Sequence, residues 1–107
     1  MYENDLLTAV ISISASGDST VIAAPTYGYL AIDHINFIPT SAVGVTLKSD
    51  TTSLTGTYPL DSKQAFTIEN AFLNPKGVVT CASGEALIIN LDSAVQLSGM
   101  IRYRIVI

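Results

Sequence analysis

Apolar side chains tend to recur at every second position from Leu7 to Ile107, and clusters of turn-forming residues interrupt them at short intervals. This two-residue period is typical of β-strands, because successive side chains of a strand point to opposite faces of the sheet. Ile, Val and Thr together account for 31 residues, and side chains branched at Cβ fit a pleated sheet better than a helix. The pattern therefore predicts an all-β sandwich or small barrel with seven or eight strands.

The chain is short, rich in apolar residues and poor in charge. Of its 107 residues, 49% are apolar and 13% are charged, which is the opposite of the composition of a disordered chain. A chain of this length buries one hydrophobic core but not two. We therefore expect a single domain over residues 7–107, preceded by an N-terminal arm, residues 1–6, that is either a contact segment or a flexible end.

The charge balance and the single cysteine argue against several kinds of partner. Nine acidic residues outnumber five scattered basic ones, so no nucleic-acid partner is expected. No run of 18 apolar residues is present, and no membrane partner is expected. Cys81 has no second cysteine to pair with and no cluster of Cys and His around it in sequence, so neither a metal nor another cofactor is expected. The acidic N-terminus lacks the basic region of a secretory signal, which predicts that the protein is not secreted from the compartment where it is made.

Several strands and turns can be placed from the pattern alone. Residues 43–48 show the clearest alternation, and Leu87, Ile89 and Leu91 within residues 86–92 are likewise predicted to face one way. The turns at residues 16–18 and 83–85 contain glycine, which adopts the positive φ angles of tight turns at no steric cost. Each turn is predicted to close an antiparallel hairpin between the strands on either side of it.

One predicted strand, residues 29–38, contains apolar residues in both phases. A flat strand with one buried face cannot hide both sets, because its side chains alternate strictly between two faces. Either a β-bulge near Asp33 and His34 shifts the register, or both faces are covered and a neighbouring subunit provides the cover. In the second case, Ile35 and Phe37 would lie at a subunit interface.

Few side chains are candidates for catalysis, and each has a structural explanation. His34 is the only histidine, and Asp33 beside it would point to the opposite face of a regular strand. Cys81 lies in an apolar segment with no neighbouring cation to lower its pKa, so a buried structural role is expected. Most carboxylates fall in predicted turns, and no phosphate-binding glycine motif is present. The sequence therefore predicts no enzyme and no catalytic residues.

The last predicted strand, residues 95–107, presents Met100, Arg102 and Arg104 on one face. Burying two arginines against the domain's own core would be costly, so this face must meet water or a partner. Arg is common at protein interfaces, where it pairs with carboxylates. We therefore regard these three residues as candidate subunit-interface residues, with solvated side chains as the alternative.

The order of four segments carries a resemblance that spans nearly the whole chain. These are SGDSTVIAA (16–24), VTLKSD followed by LTG (45–50 and 54–56), SGEALIINL (83–91) and VQLSGMIRY (95–103). In this order they resemble small virion proteins of tailed bacteriophages, of the head decoration or capsid cement type. The resemblance implies a single-domain antiparallel β-sandwich of the jelly-roll kind, commonly a homotrimer, without catalytic activity.

The same resemblance implies a function and a location. A decoration protein binds the outer surface of the assembled capsid, contacts the major capsid protein and stabilises the shell. Composition is compatible with association, because a mean hydropathy of +0.45 suggests more apolar side chains than one small core can hide. The alternatives are a phage tail or fibre component and a small carbohydrate-binding module.

Overall fold

The computed structural model describes residues 6–70 and 78–107. These residues form ten β-strands and contain no helix, and so none that could span a membrane. In chain order the strands are β1 (Leu7–Ile13), β2 (Gly17–Ile22), β3 (Tyr29–Pro39), β4 (Val43–Ser49), β5 (Thr52–Ser53), β6 (Tyr58–Leu60), β7 (Phe66–Glu69), β8 (Val79–Thr80), β9 (Leu87–Leu91) and β10 (Leu97–Val106).

The strands form two antiparallel sheets packed face to face. Sheet A has the order β1-β10-β3-β7, with β8 beside β7 on the same edge of β3, and sheet B has the order β2-β9-β4-β5, with β6 sharing the edge of β4. If β5 and β6 count as one divided strand, and β7 and β8 as another, eight strands remain. Their order, 1-8-3-6 in one sheet and 2-7-4-5 in the other, is that of a jelly roll. The predicted fold class is therefore confirmed.

The strand count and both predicted hairpins need correction. Ten segments replace the expected seven or eight, because two edge positions are each divided into short pieces. Residues 14–16 join β1 of sheet A to β2 of sheet B, with Gly17 already in β2, and the turn at 83–85 joins β8 of sheet A to β9 of sheet B. Gly17 and Gly84 do have positive φ angles, of 88° and 73°. The turn at 83–85 was correctly placed, whereas the turn predicted at 16–18 lies about two residues earlier, and at both places the chain crosses between the sheets.

The core lies between the sheets and is built from the alternating residues. From sheet B, the inward side chains of β4 and β9 are at most 4% exposed, namely Val43, Val45, Leu47, Leu87, Ile89 and Leu91. From sheet A, β10 contributes Ile101 and β1 contributes Ile11. At one end of the core, Phe66 packs against Phe37 and Tyr58, with ring centroids 5.0 and 4.4 Å apart. The predicted inward faces of these strands are confirmed.

A β-bulge at Asp33 explains the two apolar phases of β3. Arg102 lies opposite His34, and the next residue, Tyr103, lies opposite Ile32, so Asp33 is an extra residue without a cross-strand partner on β10. An extra residue shifts the alternation by one position. Leu30 and Ile32 on one side of the bulge, and Ile35 and Phe37 on the other, therefore all face the core.

This packing corrects the expectation that Ile35 and Phe37 lie at a subunit interface. Ile35 is fully buried and Phe37 is 2% exposed, both within the core of the chain's own sandwich. Of the two explanations for the strand at 29–38, the bulge is the correct one. The apolar residues of β3 therefore give no reason to invoke a second subunit.

Gly99 allows β10 and β3 to approach closely at the centre of sheet A. A Cβ atom added at this position would collide with the backbone carbonyl oxygen of Asn36 and the Cα of Phe37. These are backbone atoms of the central strand, so they cannot move aside as the end of a flexible side chain can. Gly56, by contrast, lies in a loop where an added Cβ would meet nothing within 4 Å.

We expect Gly99→Ala to lower the free energy of unfolding by about 1–3 kcal/mol, because the methyl group forces β3 and β10 apart. Gly56→Ala is the control and should change it by less than about 0.5 kcal/mol. Urea unfolding followed by circular dichroism measures both variants. Equal stability of the two variants would contradict the close approach of the strands.

Candidate functional site

The outer face of sheet A carries three of the five candidate interface residues that the sequence identified, Met100, Arg102 and Arg104. It comprises the outward side chains of β1, β3, β7 and β10, namely Thr8, Val10, Ser12, His34, Asn36, Ile38, Thr67, Glu69, Ser98, Met100, Arg102 and Arg104. Strand register aligns them in rows across the sheet. One row reads Val10, Met100, Asn36, Thr67, and the next reads Thr8, Arg102, His34, Glu69.

The first row contains apolar surface that the chain does not cover. Val10 is 76% exposed and lies directly opposite the half-buried Met100. Ile38, on the same face, is 42% exposed. Sequence analysis identified Met100 but missed Val10, although Val10 was the one residue of its strand that broke the alternation of hydroxyl and apolar side chains.

A polar cluster lies on this face beside the bulge. Asp33 Oδ1 accepts hydrogen bonds from Arg104 Nη2 at 3.0 Å and from Asn70 Nδ2 at 2.8 Å. The backbone N–H of Asn70 also donates to the Asp33 carbonyl oxygen at 3.0 Å. Both charged side chains are about four-fifths buried. Within the described part of the chain, Nε of Arg104 is buried without a hydrogen-bond partner.

His34 lies on the same face as Asp33, because the bulge removes the usual alternation between neighbouring residues. Its Nε2 is 2.9 Å from Asn36 Nδ2, and its Nδ1 is 3.5 Å from Glu69 Oε1. Asn36 Nδ2 can only donate, so Nε2 accepts this hydrogen bond and Nδ1 carries the proton that faces Glu69. The expectation that Asp33 and His34 point to opposite faces was therefore wrong.

This arrangement orients His34 but does not prepare it as a catalytic base. A general base needs a free nitrogen lone pair within reach of a nucleophile or of a substrate proton. The amide of Asn36 occupies that lone pair. The geometry of His34 therefore favours a structural or contact role over proton transfer.

Three open depressions on the described surface lie near candidate residues. One, of about 460 Å³, lies on the outer face of sheet A and is lined in part by His34, Asn36, Thr67 and Glu69. A second, of about 440 Å³, is lined in part by Asp61 and Asp92. The Oδ1 atom of Asp92 accepts a hydrogen bond from the Gly44 N–H. The third, of about 240 Å³, adjoins Cys81. In the second depression the Ser93 hydroxyl also donates a hydrogen bond to Asp92 Oδ1, at 3.3 Å.

Cys81 behaves as the buried residue that the sequence predicted. It is 5% exposed, and burial raises the pKa of its thiol to about 11. The thiolate is the reactive form of cysteine, so a raised pKa makes this side chain inert near neutral pH.

The two arginines of β10 have different environments. Arg102 is exposed, as expected for a residue that meets water or a partner. Arg104 pairs with Asp33 of its own chain, which corrects the expectation that both arginines are free to pair with carboxylates of a neighbouring subunit. The candidate interface therefore retains Met100 and Arg102 and gains Val10.

We expect Asp33→Ala to lower the free energy of unfolding by about 2 kcal/mol, because the largely buried guanidinium of Arg104 loses its charged acceptor. Asp61→Ala, which removes an exposed carboxylate, is the control, with an expected change below about 0.5 kcal/mol. The double variant Asp33→Ala/Arg104→Ala should lose less than the sum of the two single variants. Strict additivity in urea unfolding would contradict the Asp33–Arg104 pair.

Comparison with known proteins gave no match: no family model, no curated protein and no solved structure is similar to the chain at a significant level. Its function is therefore inferred from its residues and their geometry.

Proposed function

We propose that the protein is a structural virion protein, a head decoration protein that binds the outer surface of a tailed-phage capsid as an oligomer and stabilises the shell. The observation that carries this proposal is the outer face of sheet A. There the exposed side chain of Val10, the half-buried Met100 and the exposed Arg102 form one continuous surface. Such a mixed surface, with an apolar centre and an arginine beside it, suits contact with another protein.

Side-chain contacts between the strands of sheet A also support a binding role. Asp33 of β3 pairs with Arg104 of β10, and His34 of β3 lies 3.5 Å from Glu69 of β7. These pairs hold strands β3, β7 and β10 together across the sheet. A rigid sheet that presents a fixed surface is suited to bridging the subunits of a shell.

The link to phage particles depends on the resemblance of the four ordered segments. Jelly rolls serve many functions, including viral capsid domains and lectins, so the strand order alone does not select one. A homotrimer on the capsid, in contact with the major capsid protein, is the assembly that the resemblance implies. A protein that binds only the assembled shell stabilises that shell by mass action.

A carbohydrate-binding module is the second candidate, because the depression on the outer face of sheet A is lined by hydrogen-bonding groups. His34, Asn36, Thr67 and Glu69 contribute to it. Its aromatic contribution is weak, since Phe66 is half-buried and packs against Phe37 and Tyr58. Exposed aromatic rings are the usual platform for sugar rings. Selective binding on a glycan array would favour this candidate, as would loss of that binding in Asn36→Ala.

The test adds purified protein to capsids that lack it and measures the temperature at which the particles disrupt. We expect this temperature to rise until binding saturates, and Arg102→Glu to reduce the rise because it reverses a charge on the contact face. Lys63→Glu makes the same change of charge in an exposed loop and serves as the control. An unchanged disruption temperature at saturating protein would refute the proposal.

A further inference from the structure

Sheet edges are natural sites of association, because an edge strand presents unpaired backbone N–H and C=O groups. The two sheets have four edges, and three of them have features that discourage pairing with another chain. The edge of β4 is divided between the short strands β5 and β6, and β6 contains Pro59. The outer edge of β3 is likewise divided between β7 and β8.

The third protected edge is β2. Its pairing with β9 shifts between Thr20 and Ile22, which marks an irregularity of the kind that bends an edge away. It also carries Asp18, whose carboxylate accepts hydrogen bonds from Asn90 and Lys48. These contacts hold the pKa of Asp18 below its usual value, so its carboxylate stays ionised and paired with Lys48.

The fourth edge, β1, has none of these features. Its seven residues, LTAVISI, contain no charge, no proline and no glycine. Its register with β10 runs without a shift from Leu7 to Ile13. Among the described strands, β1 pairs only with β10, so no described strand covers its outer edge.

The side chains of β1 are arranged symmetrically about Val10. Leu7 and Ile13 are the apolar ends, Thr8 and Ser12 carry hydroxyl groups, and Ala9 and Ile11 are apolar. If a second β1 ran antiparallel with Val10 opposite Val10, each side chain would lie opposite a side chain of the same chemical type. Hydroxyl would face hydroxyl on the outer face, and apolar would face apolar on the inner face. Such cross-strand pairs stabilise sheets.

We propose that β1 pairs antiparallel with β1 of a second copy of this chain, about a two-fold axis at Val10. The pairing joins the two A sheets into one continuous sheet. Seven opposed residue pairs provide about six to eight backbone hydrogen bonds, depending on which pairs are hydrogen-bonded. The absence of charge along β1 lets two copies of an acidic chain approach without local repulsion.

The pairing has a consequence for the outer face of sheet A. The row that runs from Met100 to Val10 continues into Val10 and Met100 of the second copy. A strip of four apolar side chains then crosses the dimer on one face. This proposal does not rest on the virion function, and it is separate from a three-fold contact, which joins two different surfaces rather than one surface to itself.

A disulfide at the axis tests the pairing directly. In Val10→Cys, the cysteines of two paired copies lie directly opposite each other, with Cα atoms about 4.5–5.5 Å apart, within the range of a disulfide. Cross-linking is followed on non-reducing gels with oxidised glutathione as the electron acceptor. The buried thiol of Cys81 has a raised pKa and should not contribute.

Ser12→Cys is the matched control. It is exposed on the same strand, but in the proposed register Ser12 lies opposite Thr8 of the second copy, about 14 Å from its own equivalent. We expect Val10→Cys to cross-link roughly tenfold faster or more than Ser12→Cys, because pairing raises the effective concentration of one thiol at the other. A mixture of Thr8→Cys and Ser12→Cys should form the mixed disulfide preferentially.

Equal rates for Val10→Cys and Ser12→Cys, or no dimer from either, would overturn the proposal, and failure of the mixed disulfide would overturn the register.

A further variant, Val10→Lys, places two like charges at the axis. In sedimentation it should have a lower mass than the wild-type dimer. Thr20→Lys on the β2 edge should leave the mass unchanged. Cross-linking without any effect on capsids would refute the virion function alone.

Discussion

The single extra residue at Asp33 is the constraint on which the arrangement of sheet A depends. Strand β3 is central in this sheet, and its apolar residues occur in two phases that no regular strand can bury together. The bulge changes the phase once, so that Leu30, Ile32, Ile35 and Phe37 all enter the core. The divided edge follows the same break, since β7 pairs with β3 on one side of Asp33 and β8 on the other.

The bulge also determines what the outer face of sheet A can do. It places Asp33 and His34 on one face, where Asp33 pairs with Arg104 and His34 meets Asn36 and Glu69. Arg102, Met100 and Val10 lie beside these contacts and remain accessible. The core buries most of the apolar side chains that, from the composition, seemed too many for one small domain. The case for association therefore rests on the exposed residues of this face and on the edge of β1.

The alternation of apolar residues was enough to predict the fold class, most strands and the inward faces of β4 and β9. It was not enough to predict strand pairing, because a glycine turn such as that at Gly17 has the same local chemistry within a sheet and between two sheets. The bulge was one of two explanations for β3, and only the packing of Ile35 and Phe37 selects it. The Asp33–Arg104 pair joins residues far apart in the chain, and no local signal predicts it. Val10 carried a signal, as an apolar residue in the hydroxyl phase of β1.

The most direct test of this account is to delete Asp33 and to compare the deletion with Asp33→Ala in urea unfolding. The substitution removes the carboxylate but keeps the extra backbone residue, whereas the deletion restores a regular strand and turns one set of buried apolar side chains outward. We expect the deletion to cost at least about 3 kcal/mol more than the substitution, or to prevent folding, because several core side chains lose their burial. Equal stability of the deletion and the substitution would contradict the central role of the bulge.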